Sequence, residues 1–414
     1  MKRIKPNLLS KPQIIFFTVY LVMYLFSVLP TEHEEANSIK ANINSFGITC
    51  HFISIACFSI GSYLALMVRS DKHDGNVRLD LQRSRFNVFI WSYCAISIGV
   101  LLWQIVISVD LNEYLTRLMT GIVLRQADPG ARNFVLLSHE QGGLSGLIKM
   151  FSFLPLSALY MVLTEQIIVN NSHSKFGMNK MWFRINLVLI LLTVLIRASL
   201  ALDRGVLMYF IIIITYYVIY STESISKSFF VVVRKPVTYL ALIVVVYSVN
   251  IISGLRQGIG LVDTLIEYCA LGLANLSILL HSEYDLTYGL NLLNVIMFPL
   301  KYFGLLDIVP EFRQADFVWN PARYLTAYAY QDFGIMFILF FIFFGFVSTV
   351  IFRKAWFSSN PCYLVVLFPV IVAIIGSFSI PPFRGPEWWV SMFMAIIGIR
   401  LSYRKQPVFN IHEP

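Results

Sequence analysis

The residues best suited to chemistry lie between Phe317 and Gly334, where the chain reads FVWNPARYLTAYAYQDFG. This stretch holds Asn320, Arg323, the aromatics Trp319, Tyr324, Tyr328 and Tyr330, and the carboxylate of Asp332. Sugar rings stack on Tyr and Trp faces, while Asn, Arg and Asp side chains take the hydroxyls. Tyr and Trp also form the belts at membrane surfaces, so the aromatics alone mark only an interface. Their combination with Asn320, Arg323 and Asp332 points to a carbohydrate site, with Tyr324 and Tyr328 as platforms. Asp332 has a second reading, as a carboxylate that stabilises a helix N-terminus.

Two further groups carry the same chemistry. ARNFVLLSHEQGG places Arg132 ahead of the adjacent His139 and Glu140 and of the Gly142-Gly143 pair. Either His139 or Glu140 could take the proton of a sugar hydroxyl, and either could instead cap the following helix. The other group is Arg197 in LTVLIRASLALDRG, Arg204 after Asp203, and Arg256 between Gly254 and Gly258. An ionisable group at membrane depth costs at least ~2.5 kcal/mol, so it faces a cavity or a partner, and Asp203 is one possible partner. The arginine fork suits phosphate and stays charged when partly desolvated. Glycines beside Arg256 let the backbone approach such a group closely.

These residues need a scaffold, and composition says what kind. The chain has 414 residues, 57% hydrophobic and 13% charged, with mean hydropathy +0.70. Soluble domains carry about 25% charged residues, so this is an all-α, polytopic integral membrane protein. Its net charge of +9 reflects orientation in a bilayer and not a nucleic-acid partner. The five cysteines form no CxxC pair and no zinc spacing, and read as small hydrophobes. No GxxxxGK[ST], HExxH or GxSxG motif occurs, and no outer-loop DxD, so neither metal nor cofactor is expected.

Spans need ~20 apolar residues. Windows near 14–29, 44–68, 87–109, 146–169, 185–202, 205–220, 237–253, 333–352, 362–380 and 387–402 qualify, and weaker stretches lie near 264–280 and 290–309. That gives ten to twelve helices in one domain, residues 1–414, without repeats. Most of the 32 basic residues fall at the N-terminus, in 69–86, 170–184, 221–236 and 353–361, and at the C-terminus. Most of the 23 acids fall in the alternate connectors. The positive-inside rule therefore makes both termini cytoplasmic. The two large loops, 110–145 and 254–332, are then extracytoplasmic, and loops of that length tend to be functional.

In this layout the sequence resembles the Wzy-type O-antigen polymerases, oligosaccharide repeat-unit polymerases of bacterial surface polysaccharide assembly. The resemblance rests on the span pattern, two large outer loops, the Ala201 to Gly205 turn, and the Tyr-x-Asp-Phe-Gly stop at Tyr330 to Gly334. It rests also on an arginine followed after ten residues by glycine in each large loop: Arg132 with Gly143, and Arg323 with Gly334. The resemblance implies an inner-membrane glycosyltransferase of the lipid-phosphosugar type, acting on undecaprenyl-diphosphate-linked oligosaccharide at the periplasmic face. Its partners would be membrane lipids and a chain-length regulator protein. On this reading Arg204, Arg256 and Arg323, with Arg197 nearby, bind the diphosphates. Arg132 binds donor or acceptor, and His139, Glu140 or Asp332 serves as base. Two rivals are an O-antigen ligase, using the same donor, and a flippase or other transporter of the lipid-linked unit. A membrane acyltransferase would want a buried histidine, and only His51, near the start of the second span, has that setting.

Overall fold

A computed structural model describes residues 8–30, 34–68, 78–108, 150–172, 179–201, 204–221, 261–280, 286, 289, 292, 324–357, 360–377 and 382–406. The α-helices among them are α1 (Pro12–Val28), α2 (Glu34–Lys40), α3 (Ser45–Met67), α4 (Arg83–Ser108), α5 (Leu154–Ser172), α6 (Lys180–Ala201), α7 (Arg204–Ser221), α8 (Leu261–Leu279), α9 (Leu325–Phe333), α10 (Phe337–Phe357), α11 (Pro361–Gly376) and α12 (Pro386–Ser402). Five helical stretches are long and apolar enough to cross a membrane: Ser45–Met67, Arg83–Trp103, Phe151–Val169, Lys180–Ala198 and Leu325–Phe357. Pro12–Val28, Val206–Ser221, Cys269–Leu279 and Pro361–Gly376 are shorter apolar helices. The chain is a helical, multi-pass membrane protein. The weak stretch 264–280 is helix α8, whereas 237–253 and nearly all of 290–309 lie outside the described residues.

Local sequence sets the helix starts. The side chain of Asn44 accepts from Gly47 N at the head of α3, and that of Asn360 from Cys362 N at the head of α11. Both satisfy amide groups that the first helical turn leaves open. Proline occupies the first turn of α1, α11 and α12, where its missing N–H costs nothing.

Contacts between helix ends give the bundle its polarity. Tyr216 Oη, late in α7, donates to Ser10 O ahead of α1 at 3.2 Å. Tyr220 stacks edge-on against Trp356 near the end of α10, with centroids 5.4 Å apart. Arg353 Nη1 donates to Ala65 O and, at 2.8 Å, to Val68 O, so α3 and α10 finish together. Helices α11 and α12 follow α10 closely in the chain, which returns the end of α12 to this same end of the bundle. The start of α1 and the ends of α3, α7 and α10 are thereby gathered at one end of the bundle. Ser152, Arg197, Arg204, Leu325 and Ser377 belong to the opposite half.

One element departs from the all-α expectation. Strand β1 (Arg78–Leu81) pairs antiparallel with β2 (Tyr403–Gln406), Arg78 opposite Gln406 and Leu81 opposite Tyr403. RLDL alternates in polarity and YRKQ does not, four residues give too weak a pattern to read from sequence, and each strand has its partner more than 300 residues away. The ribbon is fastened to the bundle by Tyr403, whose hydroxyl donates to Oε2 of the buried Glu165 on α5. Burial, and then the Glu165 carboxylate, hold the Tyr403 phenol well above its ordinary range. Tyr403→Phe is expected to lower the thermal midpoint of the detergent-solubilised protein, because a buried carboxylate loses a donor worth about 1–3 kcal/mol. Size-exclusion of heated samples would read the shift, and an unchanged midpoint would remove the fastening role.

Helices α3 and α10 make the tightest pair. A Cβ at Gly61 would overlap the carbonyl oxygen of Ile342, and one at Gly345 that of Phe58. Close backbone approach through small residues is how helices associate in lipid, where no hydrophobic force separates protein from tails. Phe16 of α1 lies flat on Phe58, with centroids 4.0 Å apart and planes 1° apart, and so adds α1 to the pair.

Candidate functional site

Arg197 sits in the last turns of α6 and is 3% exposed. Its Nε donates to Ser152 Oγ at 3.3 Å, and its guanidinium carbon stands 3.7 Å from the centre of the Phe153 ring. The short 3-10 turn Phe151–Phe153 beneath it is pinned from two sides. Ser97 Oγ of α4 donates to Ser152 O at 2.8 Å, and Ser391 Oγ of α12 donates to Phe153 O at 3.3 Å. A desolvated cation over an aromatic face gains up to about 2 kcal/mol, which offsets part of its cost in an apolar bundle. Asp203 lies outside the described residues, and Arg204 is the first residue of α7.

The apolar stretch Leu325–Phe357 runs to 33 residues. As one helix it would reach about 50 Å, against a hydrocarbon core of about 30 Å. It breaks at Gly334, where φ is +54° and ψ is −135°, a backbone region open essentially to glycine alone. Ahead of the break, α9 is enclosed nearly all round: Leu325, Thr326, Ala327, Tyr328, Ala329, Gln331 and Asp332 are buried.

Three expectations change here. Asp332 belongs to the last turn of α9 and not to the first turn of a span. It has no exposed surface, and its Oδ2 accepts from Leu292 N of the 254–332 loop at 2.8 Å. Tyr324 and Tyr328 are 0% and 3% exposed, so neither presents an open face to a sugar. The ring of Tyr324 meets Tyr20 and His51 edge-on instead, with centroids 6.1 Å and 5.5 Å away. The reason is depth: Tyr324 lies level with His51, two turns into α3, where packing on α1 and α3 replaces the membrane surface assumed from the aromatic content.

Asp332→Leu should therefore strip the Leu292 amide of its acceptor and destabilise the protein by about 1–3 kcal/mol, whereas Asp332→Asn keeps an acceptor and most of the stability. Equal losses of thermal midpoint in the two variants would contradict this role.

The sequence marks His51 only as the buried histidine of an acyltransferase reading and gives no sign that it meets Tyr324. His51 Nε2 lies 3.0 Å from Tyr20 O and Nδ1 lies 3.3 Å from Tyr324 Oη. A carbonyl can only accept, so Nε2 carries the proton, and in the neutral ring Nδ1 receives the Tyr324 hydroxyl. One turn further, Ser54 Oγ and Thr326 Oγ1 are 3.0 Å apart, and Leu325 N donates to Ser377 O at 2.9 Å. The available signal was a histidine in the otherwise apolar run of α3.

Arg132, His139, Glu140, Arg256, Asn320 and Arg323 lie outside the described residues. Of the remaining candidates, Tyr324 stands at the N-cap of α9, Tyr328 and Asp332 lie within it, and Arg197 is held by the Phe151–Phe153 turn. Among the described residues no three His, Cys, Asp or Glu side chains are grouped to hold a metal ion. Comparison with family models, with curated proteins and with solved structures finds no match to this chain.

Proposed function

We propose that the protein is a repeat-unit polymerase of the bacterial plasma membrane, joining undecaprenyl-diphosphate-linked oligosaccharides at the extracytoplasmic face. The observation that carries this reading is Arg197, a cation buried in an apolar bundle at the end opposite the basic segments. The arginine fork stays charged when desolvated and matches the oxygens of a lipid-borne diphosphate, which supports this reading.

In the proposed reaction an acceptor sugar hydroxyl bonds to the anomeric carbon of the growing chain. Its proton passes to a base in the 110–145 loop, His139 or Glu140. The bond from the anomeric carbon to the diphosphate oxygen breaks, and the electron pair leaves on the diphosphate. Arg197, Arg204, Arg256 and Arg323 stabilise that charge, a role that requires no metal ion. Asp332 and Tyr324, both enclosed, position the loop and α9 and do not touch the reacting atoms.

Deleting the gene from a host that makes the polysaccharide separates the alternatives. A polymerase mutant still carries single repeat units on its surface acceptor, and the restored gene returns the ladder of longer chains. A mutant with no repeat units attached would indicate a ligase and would overturn this reading.

A further inference from the structure

We infer that His51 is a positioning residue that seats α9 inside the bundle by clamping Tyr324, an inference whose catalytic consequence rests on the polymerase reading. His51 is 1% exposed and both ring nitrogens are engaged, Nε2 with Tyr20 O of α1 and Nδ1 with Tyr324 Oη. Its ring also stacks on Tyr20, with centroids 4.9 Å apart and planes 23° apart. One imidazole thus ties α1, α3 and the head of α9 together. The clamp has fixed polarity, because the Tyr20 carbonyl admits one tautomer and that tautomer leaves an acceptor for Tyr324.

The clamp matters because of what α9 carries. Tyr324 directly follows Arg323, and it caps a helix whose last turn holds Leu292 through Asp332. The seat of α9 therefore sets where both Leu292 and Tyr324 meet the bundle. His51 itself, enclosed and doubly bonded, does not reach a substrate.

The test uses His51→Ala, His51→Gln, Tyr324→Phe and the double variant His51→Ala/Tyr324→Phe in the full-length protein. Thermal midpoints in detergent read the clamp without reference to activity. The two single losses should exceed the shift of the double variant when summed, since contacting partners are not additive. His51→Gln, which can donate to Tyr20 O and accept from Tyr324, should recover more than half of the alanine loss. Strictly additive shifts, or a glutamine variant as damaged as alanine, would overturn the clamp. In cells, His51→Ala and Tyr324→Phe should each shorten surface chains at matched protein levels, and His51→Gln should restore them. Coupled midpoints with chains of normal length would overturn the positioning role. If wild-type protein made no polymer while the midpoints remained coupled, the polymerase reading would fail and the clamp would stand.

Discussion

Replacing Arg197 by alanine is expected to leave cells with single repeat units and no longer chains, at protein levels near those of the wild type. Removing one preorganised charge from a site where a diphosphate departs costs at least ~10²-fold in rate, more than polymer synthesis against competing export would survive. The contact with Phe153 at 3.7 Å and the bond to Ser152 at 3.3 Å are lost together. Arg197→Lys separates charge from shape. A lysine keeps the cation but not the planar fork, so chains should be shortened but present. Normal ladders from the alanine variant at normal abundance would make Arg197 a structural cation and withdraw the support on which the proposed reaction stands.

The largest structural effect is expected from Gly345→Leu. The α3 and α10 backbones approach so closely that even a methyl group at position 345 meets the Phe58 carbonyl, and Gly61 repeats the arrangement against Ile342. Overpacking a core costs about 1–3 kcal/mol when side chains yield, and here the obstacle is backbone. The two helices must separate, which also parts Arg353 from Ala65 and Val68 and unseats Phe16. The variant should accumulate poorly and elute as aggregate in mild detergent. Gly99→Leu is the control, since a Cβ there meets nothing within 4 Å. Equal behaviour of the two variants would contradict the close crossing.

The helices were legible because long apolar runs leave a chain in lipid few other ways to satisfy its backbone. The site was read less well. Tyr324, Tyr328 and Asp332 have the residue types of a sugar-binding surface, and nothing in the string tells a surface from a short helix folded into the bundle. Depth depends on the break at Gly334 and on partners such as His51 and Ser377, which lie far off in sequence. Arg197 was visible as a charge in an apolar run, but Ser152 and Phe153, 45 and 44 residues earlier, were not.

The most direct measurement is reconstitution of the purified protein in liposomes with undecaprenyl-diphosphate-linked repeat units, following glycan length on gels. A polymerase gives a ladder of products of two or more units, release of free undecaprenyl diphosphate in step with each bond formed, continuation in chelator, and loss of the ladder in Arg197→Ala. Substrate that crosses the bilayer with its length unchanged would contradict the account and identify a transporter.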